Sequence, residues 1–247
     1  MTHTSDQSTS DQSTSEESTS DQSAVRLRGL SAGYARHTVL HEVTAEFPRA
    51  KVTAVVGPNG SGKSTLLGVL AGVITPAMGD VEIGTRRPAF VVQHSAVPTG
   101  LPITVWETVA MGRWAHRSPW QRLTKKDKEL VDACLDRMGI ADLAQRRLSS
   151  LSGGQRQRAL LAQAFAQESD LLLLDEPDAG LDSQARRDIA IAISDARANG
   201  VTAIHVTHDL DEASRADHCL MLQNGRLAAE GDPHTVLQHL RVEQMRA

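Results

Sequence analysis

The stretch that most constrains what this chain can become is residues 57–64, GPNGSGKS, between an apolar β-type run, KVTAVVG, and a helical pattern, KSTLLGVLAG. It matches G-x-x-x-x-G-K-[ST] in the strand-to-helix setting that the motif requires. Gly57, Gly60 and Gly62 let the backbone curl so that its N–H groups and the helix start face phosphate oxygens. Lys63 brings a point charge to the β- and γ-phosphates, and the Ser64 hydroxyl suits Mg2+. Pro58, Asn59, Ser61 and Thr65 complete the predicted nucleotide-binding stretch. A chance glycine turn would not have a strand and a helix in register on its two sides.

Residues 171–177, LLLLDEP, supply a second half to that site. An unbroken apolar run ending in an acid reads as a strand buried on both faces of a parallel sheet. Asp175 at its end suits the outer sphere of the magnesium ion. Glu176 is the carboxylate with reach to an attacking water near the γ-phosphate. An acid pair that merely caps a helix is the plainer alternative; the buried run before it and Pro177 after it speak against that.

The rest of the chain alternates strands and helices. VRLRGL, TVLHEVTAEF and KVTAVVG read as strands, VEIG and AFVVQ as shorter ones, and residues 104–148 as helical in pattern. Within that last stretch Leu130, Val131, Cys134, Leu135 and Met138 form one stripe. A helix is expected over 183–199, a strand in TAIHVTHD, and a terminal hairpin in HCLMLQNGRLAAEG with Asn224-Gly225 as its turn. The predicted fold is an α/β layer with early antiparallel strands and an inserted helical subdomain, at about 94–150. Aromatic residues make up only 3%, so the core must be aliphatic. Cys134 and Cys219 have no partners at metal-like spacing, which points to a reducing compartment. The histidines other than His208 show no ligand spacing.

Residues 1–23 are expected to be a disordered tail, because their five-residue Ser/Thr/Asp/Gln repeat offers nothing apolar to bury. The tail carries five acids (Asp6, Asp11, Glu16, Glu17, Asp21) and no Lys or Arg. Removing those five from the overall charge of −4 leaves +1 for the folded part. That balance gives no electrostatic case for nucleic acid or anionic lipid. No apolar stretch nears the roughly 20 residues of a membrane span, and with neither a basic nor an apolar segment in residues 1–23 no signal peptide is expected there. A short C-terminal tail is expected at 241–247.

A second glycine-rich helix start, LSGGQ at 151–155, has no lysine and lies well downstream of the phosphate loop. Ser152, Gly153 and Gly154 offer a hydroxyl and bare N–H groups at a positive helix end, suited to an anion. The order and spacing of these motifs make residues 24–240 resemble the ATP-binding subunit of an ABC transporter, a P-loop NTPase of ABC type. That resemblance implies a homodimer packed head to tail, binding ATP and Mg2+ in two shared sites. In each, Ser152, Gly153, Gly154 and Gln155 of one copy cap the γ-phosphate on the other's loop. It also implies that Tyr34, in LSAGYARHTVL, stacks on adenine and that Gln93 approaches Mg2+ and the attacking water. Asp182, in DAGLD, would belong to the loop crossing the dimer interface, and His208, in VTHD, would contact the γ-phosphate. Glu176, His208 and Gln93 form the expected catalytic set; Ser64, Gln93 and Asp175 form the metal set.

Within the family, LPITVWETVAMGRW, the polar helical stretch after it and the AGLD ending resemble zinc and manganese uptake subunits. The resemblance therefore implies an importer, with zinc first, manganese second and siderophores or other solutes third. Integral membrane permease subunits and an extracytoplasmic solute-binding protein would be partners, and the subunit would sit on the cytoplasmic face of the membrane. An ABC-type ATPase acting on nucleic acid is the alternative of another class. A long coiled coil between loop and signature would mark it, and only a short helical insertion stands there.

Overall fold

The computed structural model describes residues 23–35, 37–85, 87–92, 102–117, 121–178, 181 and 183–244. The acidic repeat tail at 1–22, Gln93 and Asp182 lie outside the described residues.

Two long strands, β1 (Ser23–Tyr34) and β2 (His37–Pro48), pair antiparallel from Ser23 against Pro48 to Tyr34 against His37. β3 (Val52–Val56) leads through the glycine loop into α1 (Lys63–Leu70). β4 (Met78–Ile83) then pairs antiparallel with the free edge of β1, giving a three-stranded sheet. The larger sheet is built from β3, β5 (Ala89–Val91), β6 (Leu171–Asp175), β7 (Thr202–Val206), β8 (His218–Gln223) and β9 (Arg226–Gly231). Its order is β5-β6-β7-β3-β8-β9, with only the β8–β9 pair antiparallel. Asn224 and Gly225, at φ 49 and 74, make the left-handed turn expected of that hairpin.

The apolar run of β6 divides its side chains between two cores, as the period of a strand requires. Leu171 and Leu173 join Leu66, Leu67 and Leu70 of α1 and the inward residues of β1 and β2. Leu172 and Leu174 join the other face, which is covered by α2 (Val105–Ala110), α3 (Lys125–Arg137), α4 (Gly153–Ala166) and α5 (Ser183–Ala198). The helix after the phosphate loop and the helix after LSGGQ therefore lie on opposite faces of one sheet.

The helical pattern expected over 104–148 is present, divided into separate helices. Thr104 and Thr124 each close a capping box, with Glu107 and Asp127 respectively. These two N-caps start separate helices, and α2 runs on only as a 3-10 turn at Met111–His116. The stripe of Val131, Cys134, Leu135 and Met138 is buried as expected, with Leu130 partly so. Buried Arg113 locks the insertion to α4: it donates to Asp127 Oδ1 at 3.0 Å, to the Ala166 carbonyl at 2.7 Å and to Glu168 at 2.8 Å.

The hairpin is not terminal. α7 (Pro233–Gln244) follows it and packs Val236, Leu237 and Leu240 against Ala54, Val56, Cys219 and Met221. Four of the seven residues expected in a C-terminal tail thus continue a helix. Its start is conventional: Thr235 N–H donates to the Asp232 carboxylate at 3.1 Å and Pro233 takes the first helical position. A short helix, α6 (Leu210–Ala213), also stands where none was expected.

Candidate functional site

The phosphate loop is built by contacts that only glycine admits. Gly57, at φ 142, approaches the Leu222 carbonyl so closely that a Cβ there would sit 2.0 Å from its oxygen. Gly62, at φ 102, leads into α1 with no side chain capping the helix and no acid in the first turn. The helix N–H groups and the positive end of its dipole therefore remain open to an anion. Lys63 is buried and donates to the Gly57 and Pro58 carbonyls at 2.9 and 3.0 Å. Burial pushes its pKa below the usual value, while the Glu176 and Asp175 carboxylates oppose that. A phosphate arriving in the loop would exchange two weak neutral acceptors for an anion.

Ser64 Oγ donates to Asp175 Oδ1 at 3.3 Å, so the hydroxyl after the lysine and the acid ending β6 already face each other. Burial raises the Asp175 pKa, and a cation beside it would relieve that cost. Two convergent hard oxygen donors fit Mg2+.

Glu176 follows Asp175 in a left-handed conformation, φ 47, with its N–H donating to the Val206 carbonyl at 3.1 Å. A residue with a side chain adopts that backbone at a cost, and such strain concentrates at functional positions. The Glu176 carboxylate comes within 3.9 Å of His208 Nδ1, and His208 itself is 66% exposed. A cleft of about 440 Å³ opens beside His208, lined among others by Gly57, Pro58, Asn59 and Thr207.

Ser152 N-caps α4 through a capping box: Gln155 N–H donates to Ser152 Oγ at 3.3 Å and Gln155 Oε1 accepts from the Ser152 N–H at 3.1 Å. Gln155 thus holds the helix start together, while Ser152 and Gly153 stay exposed. Tyr34 is 56% exposed at the end of β1. The structure brings Lys63, Ser64, Asp175, Glu176 and His208 together; it holds Ser152–Gln155 on the other face of the sheet. Sequence reasoning missed the brace beneath His208, where Thr207 Oγ1 donates to Glu212 Oε2 at 2.6 Å. The Asp209-x-x-Glu212 spacing of a helix cap was the available signal.

Fold and site define a P-loop ATPase with a second glycine-rich helix start across the sheet from its phosphate-loop helix. The sequence model of the ABC transporter family matches residues 40–179. The ferric enterobactin transport ATP-binding protein FepC of Escherichia coli K12 is 38% identical over 239 residues, covering 90% of this chain and 88% of that protein. The zinc transport system ATP-binding protein TroB of Treponema pallidum is 34% identical over 215 residues, covering 84% and 81%. The structure of a metal-chelate type ABC transporter in an inward-facing conformation superposes with a TM-score of 0.78 at 30% identity, covering 87% of this chain and 85% of that one. The chain belongs to the ABC transporter family, as the ATP-hydrolysing subunit of an importer.

Proposed function

We propose that this subunit powers uptake of a chelated metal, a ferric siderophore or similar complex, through membrane permease subunits fed by an extracytoplasmic solute-binding protein. The observation that carries the substrate class is the 38% identity over 239 residues with a ferric enterobactin transport subunit, joined by the 30% identity with a metal-chelate transporter. Zinc or manganese is the second reading, favoured by the LPITVWETVAMGRW stretch and by the 34% identity with TroB. Among the described residues no helix is long and apolar enough to cross a membrane, in keeping with a peripheral subunit on the cytoplasmic face.

Two copies pack head to tail, because α1 and α4 of one copy lie on opposite faces of its sheet. ATP draws Lys63 off the Gly57 and Pro58 carbonyls onto its phosphates, and the Tyr34 ring stacks on adenine. Ser152, Gly153 and Gly154 of the partner subunit cap the γ-phosphate with a hydroxyl and helix N–H groups. Ser64, Asp175 and Gln93 would hold Mg2+, which neutralises phosphate charge when bound. Glu176 orients the attacking water and takes its proton, and His208 contacts the γ-phosphate. Asp182, in DAGLD, meets the partner across the interface. Closure moves the permease subunits through the region of Gln93, and hydrolysis reopens the dimer.

The test is metal content and growth of cells carrying wild type or Glu176→Gln, grown with a ferric chelate as the only iron source and, separately, under zinc or manganese limitation. Loss of growth on the chelate alone is the expected result. Loss confined to zinc or manganese limitation would replace the first reading with the second, and normal growth in every condition would remove the metal assignment.

A further inference from the structure

His208 stands on a turn with little else to hold it: its side chain is 66% exposed and it lies two residues past the end of β7. Its neighbours are the opposite. Thr207 is 1% exposed, its N–H donates to the Val55 carbonyl at 3.3 Å, and its hydroxyl accepts from Asp209 N–H at 3.0 Å. That same hydroxyl donates its proton to Glu212 Oε2 at 2.6 Å. Glu212 is in turn fixed by α6, whose first N–H groups, those of Asp211 and Glu212, donate to Asp209 Oδ1 at 2.9 and 3.2 Å. The turn Thr207-His208-Asp209 is therefore closed on both sides by one carboxylate acting through one hydroxyl.

We propose that Glu212 is a positioning residue for His208, holding through Thr207 the turn that aims the imidazole at Glu176. The inference rests on the reading of His208 as a γ-phosphate contact. His205, directly beneath, is no competing partner for the carboxylate. Its Nδ1 lies 3.6 Å from Glu212 Oε1, beyond hydrogen-bonding distance, and burial pushes the imidazole pKa down to about 4, so it stays neutral. Thr207 remains the one short side-chain bond Glu212 makes among those described. The bond to Thr207 needs an acceptor oxygen rather than a charge, which separates this role from an ion pair.

ATP hydrolysis is measured in the assembled transporter for Glu212→Ala, Glu212→Gln, Thr207→Val, His208→Ala and the Glu212→Ala/His208→Ala double variant. A misaimed catalytic group costs roughly 10- to 100-fold, so that fall in kcat is expected for Glu212→Ala and Thr207→Val, with KM for ATP little changed. Glu212→Gln keeps most of the activity, because its amide oxygen still accepts the Thr207 hydroxyl. In the His208→Ala background, Glu212→Ala adds no further loss. Equal damage from Gln and Ala, or a full additional loss in the double variant, overturns the positioning role and leaves that of His208 intact. A fully active His208→Ala enzyme overturns both.

Discussion

At φ 47 the backbone of Glu176 is left-handed, a conformation that costs a residue with a Cβ about 1–2 kcal/mol and glycine essentially nothing. Replacing Glu176 by Ala or by Gly removes the same carboxylate, so whatever that group contributes cancels between the two variants. What remains is the left-handed cost, set against the about 0.5–1 kcal/mol by which glycine loosens the unfolded chain. The difference favours glycine by about 0.5–1 kcal/mol. On ordinary helical or extended backbone the sign is reversed, which is what makes the comparison informative. The N–H bond to the Val206 carbonyl is kept in both variants. Thermal unfolding followed by circular dichroism should place Glu176→Gly about 1–3 °C above Glu176→Ala for a domain of this size. Hydrolysis is lost in both. An alanine variant as stable as the glycine variant, or more so, would refute the claim that the chain holds a strained conformation to place this carboxylate.

Two further outcomes follow from the geometry. Lys63→Ala should abolish binding of a fluorescent ATP analogue while leaving the unfolding midpoint close to wild type, since among the described residues Lys63 donates hydrogen bonds only to the Gly57 and Pro58 carbonyls; retained binding would contradict the loop assignment. The Thr124 hydroxyl and amide, with Arg113 and Arg117, hold the Asp127 carboxyl well below the usual carboxylate range. A depressed folded-state pKa gives stability that is present above about pH 4 and lost as the pH falls below it. Urea titrations should accordingly show wild type losing its advantage over Asp127→Asn on acidification, and a constant gap would show that the network does not hold the charged form.

The phosphate loop, the β6 acids and the LSGGQ helix start were legible because each is local: glycine, charge and apolar run stand side by side in sequence. The alternation of Leu171 and Leu173 against Leu172 and Leu174 likewise follows from strand period alone. The insertion was legible as helical, but not its division at Thr124, because apolar spacing gives the helical character and not the helix starts. The capping box that divides it depends on one pair three residues apart, Thr124 and Asp127. The last helix is announced only by Asp232-Pro233, a weaker local signal than the Asn224-Gly225 turn of the hairpin before it. No pattern could have revealed the Arg113 lock on Ala166, which joins residues 53 apart. The same holds for the opposite placement of α1 and α4, from which the need for a second copy is argued, because it depends on how the whole sheet is covered.

The role of Glu176 is tested most directly by ATP hydrolysis in the assembled transporter with Glu176→Gln in place of wild type. The amide keeps the size and the backbone of Glu176 but cannot take a proton from water, so ATP should still bind while the steady-state rate falls by roughly 100-fold or more. Hydrolysis at the wild-type rate by a folded, ATP-binding Glu176→Gln transporter would contradict it.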